Sequence, residues 1–256
     1  MKIVSWNIAN YDDHPKWITR KNLIADEIIK AEADIIALQE VRFNKDHPST
    51  KATHLNSAEQ ILTQLQSKNK FMEAKVITQP AMHYSPTGFW EGLSIISSDD
   101  VMETGAMFHS YIHNSVDLNR RVTQYSVAVS NNFVFFLFNT HFSNDETNLR
   151  SNIGEVMSYT ERFAGYPLIL LGDMNATPQN ENIHKLTMQG YIDIWHKLNP
   201  KNDGFTYPSS APAKRIDHCW VNESFANKIK NIKLIGKNPD KDGIYPSDHL
   251  GLLIEI

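Results

Sequence analysis

Apolar residues along this chain fall into short runs with two spacings, period two for strands and three to four for helices. "KIVSWNI" at 2–8 alternates from the first residues and predicts a strand. "WITRKNLIADEIIKAE" at 17–32 carries Ile18, Ile24 and Ile28 at helical spacing. "ADIIALQEV" at 33–41 is a short apolar strand ending in polar groups, and "LNSAEQILTQLQ" at 55–66 reads as a helix with Ser57 and Gln60 as a capping box. "EGLSIISS", "RVTQYSVAVS" and "NNFVFFLFNTHF" predict three strands, with Asn131-Asn132 as the turn between the last two. "ETNLRSNIGEVMSYTERFA" at 146–164 is the longest helical stretch. "YPLILLGDMN" is a strand, and "ENIHKLTMQG" a short helix closed by Gly190. "RIDHCWVN", "IKNIKLIG" and "HLGLLIEI" supply the last strands. The looser segments are 44–54, 79–90, 108–120 and 199–214, none of them linker-like. Strands near both ends, with helices between, imply two packed sheets with helices outside, in a single domain spanning 1–256.

Totals narrow the picture little. At 256 residues, 41% hydrophobic and 21% charged, the chain has ordinary globular composition. A net charge of −4 predicts no strong non-specific pull on nucleic acid. The single cysteine, Cys219, rules out a disulfide within the chain and argues against a cysteine-based zinc site. No signal-peptide pattern opens the sequence and no run approaches the roughly 20 apolar residues of a membrane span, so a cytoplasmic protein without a stable membrane anchor is expected.

Candidate chemistry sits where the apolar runs stop. Asn7, Gln39-Glu40, Glu91, Asn139-Thr140-His141, Asp173 with Asn175, Asp217-His218 and Asp248-His249 all stand at strand edges. Each has an ordinary explanation on its own. Asp173-Met174-Asn175 suits an Asx turn, His141 a satisfied core histidine, and Asp217 a pair with Arg215. Their recurrence at strand ends points to one cleft lined with acids, amides and imidazoles. Carboxylate and amide oxygens without a cysteine cluster suit Mg²⁺, Mn²⁺ or Ca²⁺ better than zinc, and such an ion serves phosphoryl chemistry.

On these residues the chain resembles a known family. "SWNI" at 5–8, "LQEV" at 38–41, "NTHF" at 139–142, "GDMNATP" at 172–178, "RIDHCWV" at 215–221 and "SDHLGLLIEI" at 247–256 are similar, in order, to the motifs of the endonuclease/exonuclease/phosphatase superfamily, whose members include nucleases, sphingomyelinases and phosphatases. The resemblance implies a four-layer α/β sandwich, two mixed β-sheets face to face with helices on both outer sides. It implies metal binding at Glu40, with Asn7 beside it and Asp248 at or near the ion. It implies that Asp173 activates water or handles the leaving group, and that Asn175 fixes the nucleophile or a phosphate oxygen. His249 then contacts the scissile phosphate, held by Asp217. His141 and Glu91 are candidates for a second histidine–glutamate pair, and Arg121 or its neighbour Arg120 for a phosphate contact.

The implied activity is hydrolysis of a phosphodiester by in-line attack of activated water, with Mg²⁺ or Mn²⁺. The expected substrate is nucleic acid, bound weakly and in a salt-dependent way, by a monomer. Arg120, Arg121, Lys201 and Lys214 are the expected phosphate contacts outside the metal site, and Phe205 and Tyr207 either stack on substrate or pack on the sheet. Phe89 and Trp90 have the same two readings beside Glu91. A sphingomyelinase-like or other lipid or small-molecule phosphoesterase is the alternative. A catalytically inactive binding module is disfavoured, because every motif position holds a competent residue. The inositol 5-phosphatase signature is missing, since "APAKRIDHCWV" stands in its place.

Overall fold

The computed structural model describes residues 1–44, 56–84, 88–98, 101–111, 116–130 and 133–256, with backbone only at 101, 102 and 130. The strands are β1 (Lys2–Asn7), β2 (Ile35–Phe43), β3 (Lys75–Tyr84), β4 (Phe89–Ser97), β5 (Val101–Phe108), β6 (Val122–Ser130), β7 (Phe133–His141), β8 (Leu168–Asp173), β9 (Ile192–Asp193), β10 (Asp217–Val221), β11 (Asn231–Ile235) and β12 (Gly251–Glu255). The helices are α1 (Trp17–Ala31), α2 (Ser57–Ser67), α3 (Glu146–Thr160), α4 (Glu181–Met188), α5 (Ile194–Leu198) and α6 (Glu223–Ala226). The strands form two six-stranded sheets, ordered β11-β12-β1-β2-β4-β3 and β5-β6-β7-β8-β10-β9. Each contains one parallel pair, β1–β2 and β7–β8, so both sheets are mixed. Among the described residues no helix is long and apolar enough to cross a membrane.

Both faces of each sheet are buried, which sets the layering. Outward residues Val4, Trp6, Ile36, Leu38 and Ile96 pack on Trp17, Ile24, Ile28, Ile61 and Leu65 of α1 and α2. Phe138, Leu168, Leu170 and Trp220 of the other sheet pack on Leu149, Ile153, Val156, Ile183 and Leu186 of α3 and α4. Inward residues Ile3, Ala37, Ile95, Leu137, Ile169, Leu171 and Cys219 form the core between the sheets. This is the four-layer α/β sandwich.

The inward rows change character along the strands, because successive side chains alternate and every second residue shares a face. On β1 the row runs Ile3, Ser5, Asn7; on β7 Leu137, Asn139, His141; on β8 Ile169, Leu171, Asp173. On β10 it runs in reverse, Val221, Cys219, Asp217. Oil thus gives way to amides and then to charge. The register puts Asp173 opposite both His141 and Asp217, so the charged ends of three strands meet.

Several expectations need correction. Ile18 is 69% exposed; the buried stripe of α1 is Trp17, Arg20, Ile24, Ala25, Ile28 and Ala31. The cap of α2 is Asn56, whose side chain accepts from the Ala58 N–H. Ser57 Oγ instead accepts from the Arg42 N–H, and Gln60 Oε1 from Trp17 Nε1. Helix α3 equals α1 in length at 15 residues each. Most of the segment expected to be loose at 79–90 belongs to β3 and β4, with β3 an edge strand that tolerates Pro80 at a bulge. The expected turn at Asn131-Asn132 lies outside the described residues.

Candidate active site

Three local devices aim the polar ends. At the end of β8, Gly172 has φ +131°, and a Cβ there would stand 2.0 Å from the Thr140 carbonyl oxygen. Only glycine permits that approach. Asp173 Oδ1 then accepts from the Asn175 N–H at 2.8 Å, an Asx turn with Asn175 at φ +52°. In β2 the ladder with β4 slips between Leu38 and Val41, a bulge centred on Glu40 at φ +55°. The bulge re-aims Glu40 towards the cleft although its neighbour Gln39 points between the sheets. Ser247 Oγ donates to the Asn7 carbonyl and Trp6 Nε1 to the His249 carbonyl, fastening the last loop to β1.

These ends converge in a cleft of about 780 Å³ whose lining includes Glu40, Glu91, Arg121, His141, Asp173, Asn175, Asp248 and His249. Amide groups stitch the carboxylates into a row. Asn7 Nδ2 donates to Glu40 Oε1 at 3.0 Å and to Asp173 Oδ2 at 2.9 Å. Asn10 Nδ2 reaches Glu40 Oε2 at 3.3 Å and Glu91 Oε2 at 3.5 Å. His249 Nδ1 is 2.9 Å from Asp217 Oδ2, and its Nε2 is 3.8 Å from Asp173 Oδ2. Asn175 Nδ2 donates to the Phe142 carbonyl at 2.9 Å, which fixes the amide orientation. The same nitrogen therefore also donates to His141 Nε2 at 3.0 Å. Asn175 Oδ1 remains for a ligand.

Burial and neighbouring charge set the protonation pattern. Burial drives Asp173 up to about 7 against the pull of His249, and Asp217 adds to the rise. Burial and the Glu40 charge raise Glu91 to about 7 in spite of Arg42. Burial opposes an imidazolium at His249, but Asp217 and Asp173 outweigh it and hold that group up at about 10. Burial, with Arg121 close by, keeps His141 well below its ordinary value and neutral.

The donor set fits a hard divalent cation. Glu40, Glu91 and Asp173 bring three carboxylates to one cleft, and His141, Asn7 and His249 hold Glu40 below the usual carboxylate range in spite of burial, so it offers ionised oxygens. Asp173, Asp217 and His249 also have ligand-type atoms within 4.8 Å of one another. There, however, His249 Nδ1 is engaged by Asp217 and the ring is charged, so Glu40 is the better holder. Asn7 Oδ1, the atom a cation would need, accepts from the Ala9 N–H at 3.0 Å. Asp248 lines the cleft and, with Glu40, lies near the Arg20 guanidinium.

Some sequence-level pairings do not form. Glu91 faces Arg42 and Asn10 rather than His141, because Arg42 stands opposite it across the β2–β4 ladder. Arg215 pairs with Asp193, leaving Asp217 to His249. Arg121 is buried, pairs with Asp117 and lines the cleft, whereas Arg120 lies over the Tyr111 ring at 3.9 Å and does not line it. Gln39 and Asn139 are fully buried between the sheets, below the cleft. Tyr207 packs 4.9 Å from the His249 ring and Lys214 lines the cleft, while Lys201 and Phe205 do not. Phe89 meets Tyr11 edge-on, and Trp90 packs against the core beneath α1 and α2. The sequence reading missed Arg42, Asn10 and Arg20. A charged residue inside the apolar run "VRF" is the one signal that marked Arg42.

Comparison with known proteins agrees with the fold. A family model described as "Endonuclease/Exonuclease/phosphatase family" matches residues 4–249. Among curated proteins none matches. An endonuclease/exonuclease/phosphatase family protein from Leptotrichia buccalis superposes with TM-score 0.81 at 21% identity, covering 100% of this chain and 99% of that one. A family protein from Bacteroides thetaiotaomicron gives 0.76 at 18% identity, with 99% and 96% covered. Truncated TDP2 of Caenorhabditis elegans gives 0.69 at 20% identity, with 99% and 95% covered.

Proposed function

The chain belongs to the endonuclease/exonuclease/phosphatase family, and from that premise we propose that it is a Mg²⁺- or Mn²⁺-dependent phosphodiesterase acting on nucleic acid. Members of the family are hydrolases of phosphoester bonds. The observation that carries the reading is the stitched row Glu91–Asn10–Glu40–Asn7–Asp173, with the Asp217–His249 pair at its end. Residues 1–256 act as one catalytic domain, since both sheets supply the row.

Glu40 would hold the cation, with Glu91 and Asp248 close by; such an ion, when bound, would supply positive charge for the phosphate oxygens and the leaving oxygen. Asp173, raised to about 7, is suited to take a proton from the attacking water near neutral pH. Asn175 Oδ1 accepts the water's other hydrogen and orients it. The His249 imidazolium donates from Nε2 to a phosphate oxygen, while Asp217 fixes the ring through Nδ1. His141, neutral, anchors Asn175. Arg121 and Lys214 offer charge to the phosphate, and Tyr84 and Tyr207 offer faces for bases. So few cations predict weak, salt-dependent binding and good turnover of short or single-stranded substrates.

The test is turnover of labelled single- and double-stranded oligonucleotides beside sphingomyelin vesicles, at matched Mg²⁺. Oligonucleotide cleavage that EDTA and Glu40→Gln abolish is expected. His249→Ala should lose on the order of 10²-fold or more in kcat, Asp217→Asn less, and the pair should be far from additive. Choline-phosphate release with intact oligonucleotides transfers the same residues to a lipid substrate. Full activity in EDTA removes the metal.

A further inference from the structure

At the outer end of the carboxylate row stands a cation that is part of the chain. Arg42 lies directly across the β2–β4 ladder from Glu91, and its side chain is 3% exposed. Nε donates to Asp12 Oδ1 at 2.6 Å and Nη2 to Asp13 Oδ2 at 2.9 Å. Nη1 lies 3.3 Å from Glu91 Oε2 without a hydrogen bond, so that contact is ionic. One guanidinium therefore meets three carboxylates. Asn10 ties the group to the metal candidate, reaching Asp13 Oδ2 at 3.0 Å as well as Glu40 and Glu91.

Hard carboxylate oxygens beside Glu40 are the surroundings in which a second divalent ion would sit. Here the guanidinium fills them. The Arg42 side chain, 3% exposed, is held there by its contacts with Asp12, Asp13 and Glu91. A divalent ion placed beside it would face positive charge at close range.

We infer that Arg42 takes the place of a second cation, so that the site holds a single divalent ion, at Glu40. This inference rests on the proposed metal dependence. It assigns Glu91 to balancing Arg42 rather than to ligating an ion, and it makes Arg42 a positioning residue that keeps Glu91, Asp12 and Asp13 together.

The experiment counts Mn²⁺ bound per chain by equilibrium dialysis and by loss of the free-ion paramagnetic resonance signal. The purified wild-type chain should bind one Mn²⁺. Glu40→Gln should weaken it at least about tenfold, and Glu91→Gln should leave the count at one. Arg42→Met keeps the apolar stem, removes the charge and frees three carboxylates; when circular dichroism shows it folded, it should bind two. Two Mn²⁺ on the wild type, or loss of one ion in Glu91→Gln, overturns the inference and leaves the metal-dependent reading standing. A folded Arg42→Met that still binds one ion removes Arg42 from the account. No Mn²⁺ on the wild type overturns the metal dependence itself, and the inference with it. The Glu91→Gln and wild-type counts decide the matter even where Arg42→Met fails to fold.

Discussion

His218 follows Asp217 directly but points to the opposite face of β10, away from the cleft. Its Nε2 donates to the Ala176 carbonyl at 2.8 Å, the ring lies parallel to Trp220, and 1% of the residue is exposed. Burial, helped by Arg215, pushes it down to about 4, so the folded chain keeps it neutral. The unfolded chain binds its proton near pH 6.5. Below that value the unfolded state gains a proton the folded state refuses, and stability falls until about pH 4. The loss attributable to this one ring is on the order of 3 kcal/mol. Raised carboxyl groups such as Asp173 and Glu91 act in the opposite direction, so the total profile mixes signs. Urea midpoints of the wild type and His218→Phe, taken from pH 7 to 4, isolate the ring. The variant's profile should be flatter, and parallel profiles would remove His218 from the acid response. The alternation of a strand decides such matters. "DHCW" puts Asp217 and His218 side by side in sequence, and only the strand period separates a cleft residue from a core one. At Asp173 the Asx turn and a place in the cleft are compatible, since the carboxylate makes the turn with Oδ1 and faces Asn7 with Oδ2.

Helix α1 fastens the loops beside the cleft through one side chain. Arg20 is 5% exposed, and its guanidinium donates to the carbonyls of Ile8, Ala9, Asn10, His14, Pro15 and Pro246. It therefore fastens the loop after β1, which carries Asn10 and Asp13, to the loop before His249. Burial lowers it to about 10, with Asp248 and Glu40 opposing the shift, so it stays charged. Arg20→Met would strand several buried carbonyls at about 1–3 kcal/mol each. A loss of at least about 3 kcal/mol in urea unfolding is expected, with a fall in kcat/KM that persists well below the melting temperature. Arg20→Lys should not restore either, because an ammonium cannot span six carbonyls as a planar fork does. An unchanged kcat/KM in folded Arg20→Met would confine the clamp to stability. The period of α1 announced a helix, and Ile24 and Ile28 lie on its buried stripe, but Ile18 is exposed and an arginine takes a buried place. Strand β3 was hidden for a related reason. Its residues are mostly half-buried at a sheet edge, and Pro80 breaks the apolar pattern that marks a central strand. The bulge that turns Glu40 into the cleft has no signature in "LQEV", because Glu40 is not a glycine despite its left-handed backbone.

Across the whole molecule, the two sheets are joined by oil at one end, charge at the other and a layer of amides between. Gln39 of β2 donates to Asn139 Oδ1 of β7 at 2.7 Å, and Asn139 Nδ2 returns bonds to the Leu38 and Ser94 carbonyls of the first sheet at 3.1 and 3.3 Å. Gln124 Nε2 likewise crosses from β6 to the Ile77 carbonyl at 2.8 Å. Such bonds are directional where apolar packing is not, and they fix how far one sheet slides on the other. That offset places Asn7 of one sheet 2.9 Å from Asp173 of the other, so the amide layer supports the row of carboxylates above it. The motifs "LQEV" and "NTHF" contain these residues beside the reactive ones, and sequence alone grouped Gln39 and Asn139 with the cleft. A double-mutant cycle tests the layer. Asn139→Leu takes the donor from the Leu38 and Ser94 carbonyls and leaves Gln39 Nε2 only its longer bonds to Ser5 Oγ and the Ala37 carbonyl, and Gln39→Met strands Asn139 Oδ1, each in a fully buried place, at about 1–3 kcal/mol. The double variant removes both partners with similar volumes, so its loss should be smaller than the summed single losses by about 1 kcal/mol or more. Oligonucleotide turnover should nevertheless be lowest in the double variant, because the Gln39–Asn139 bonds that hold this register are then gone and Gln124 and Asn7 are left to hold it. Additive stabilities, or full turnover in the double variant, would mean that packing alone sets the offset and that the amides merely tolerate it.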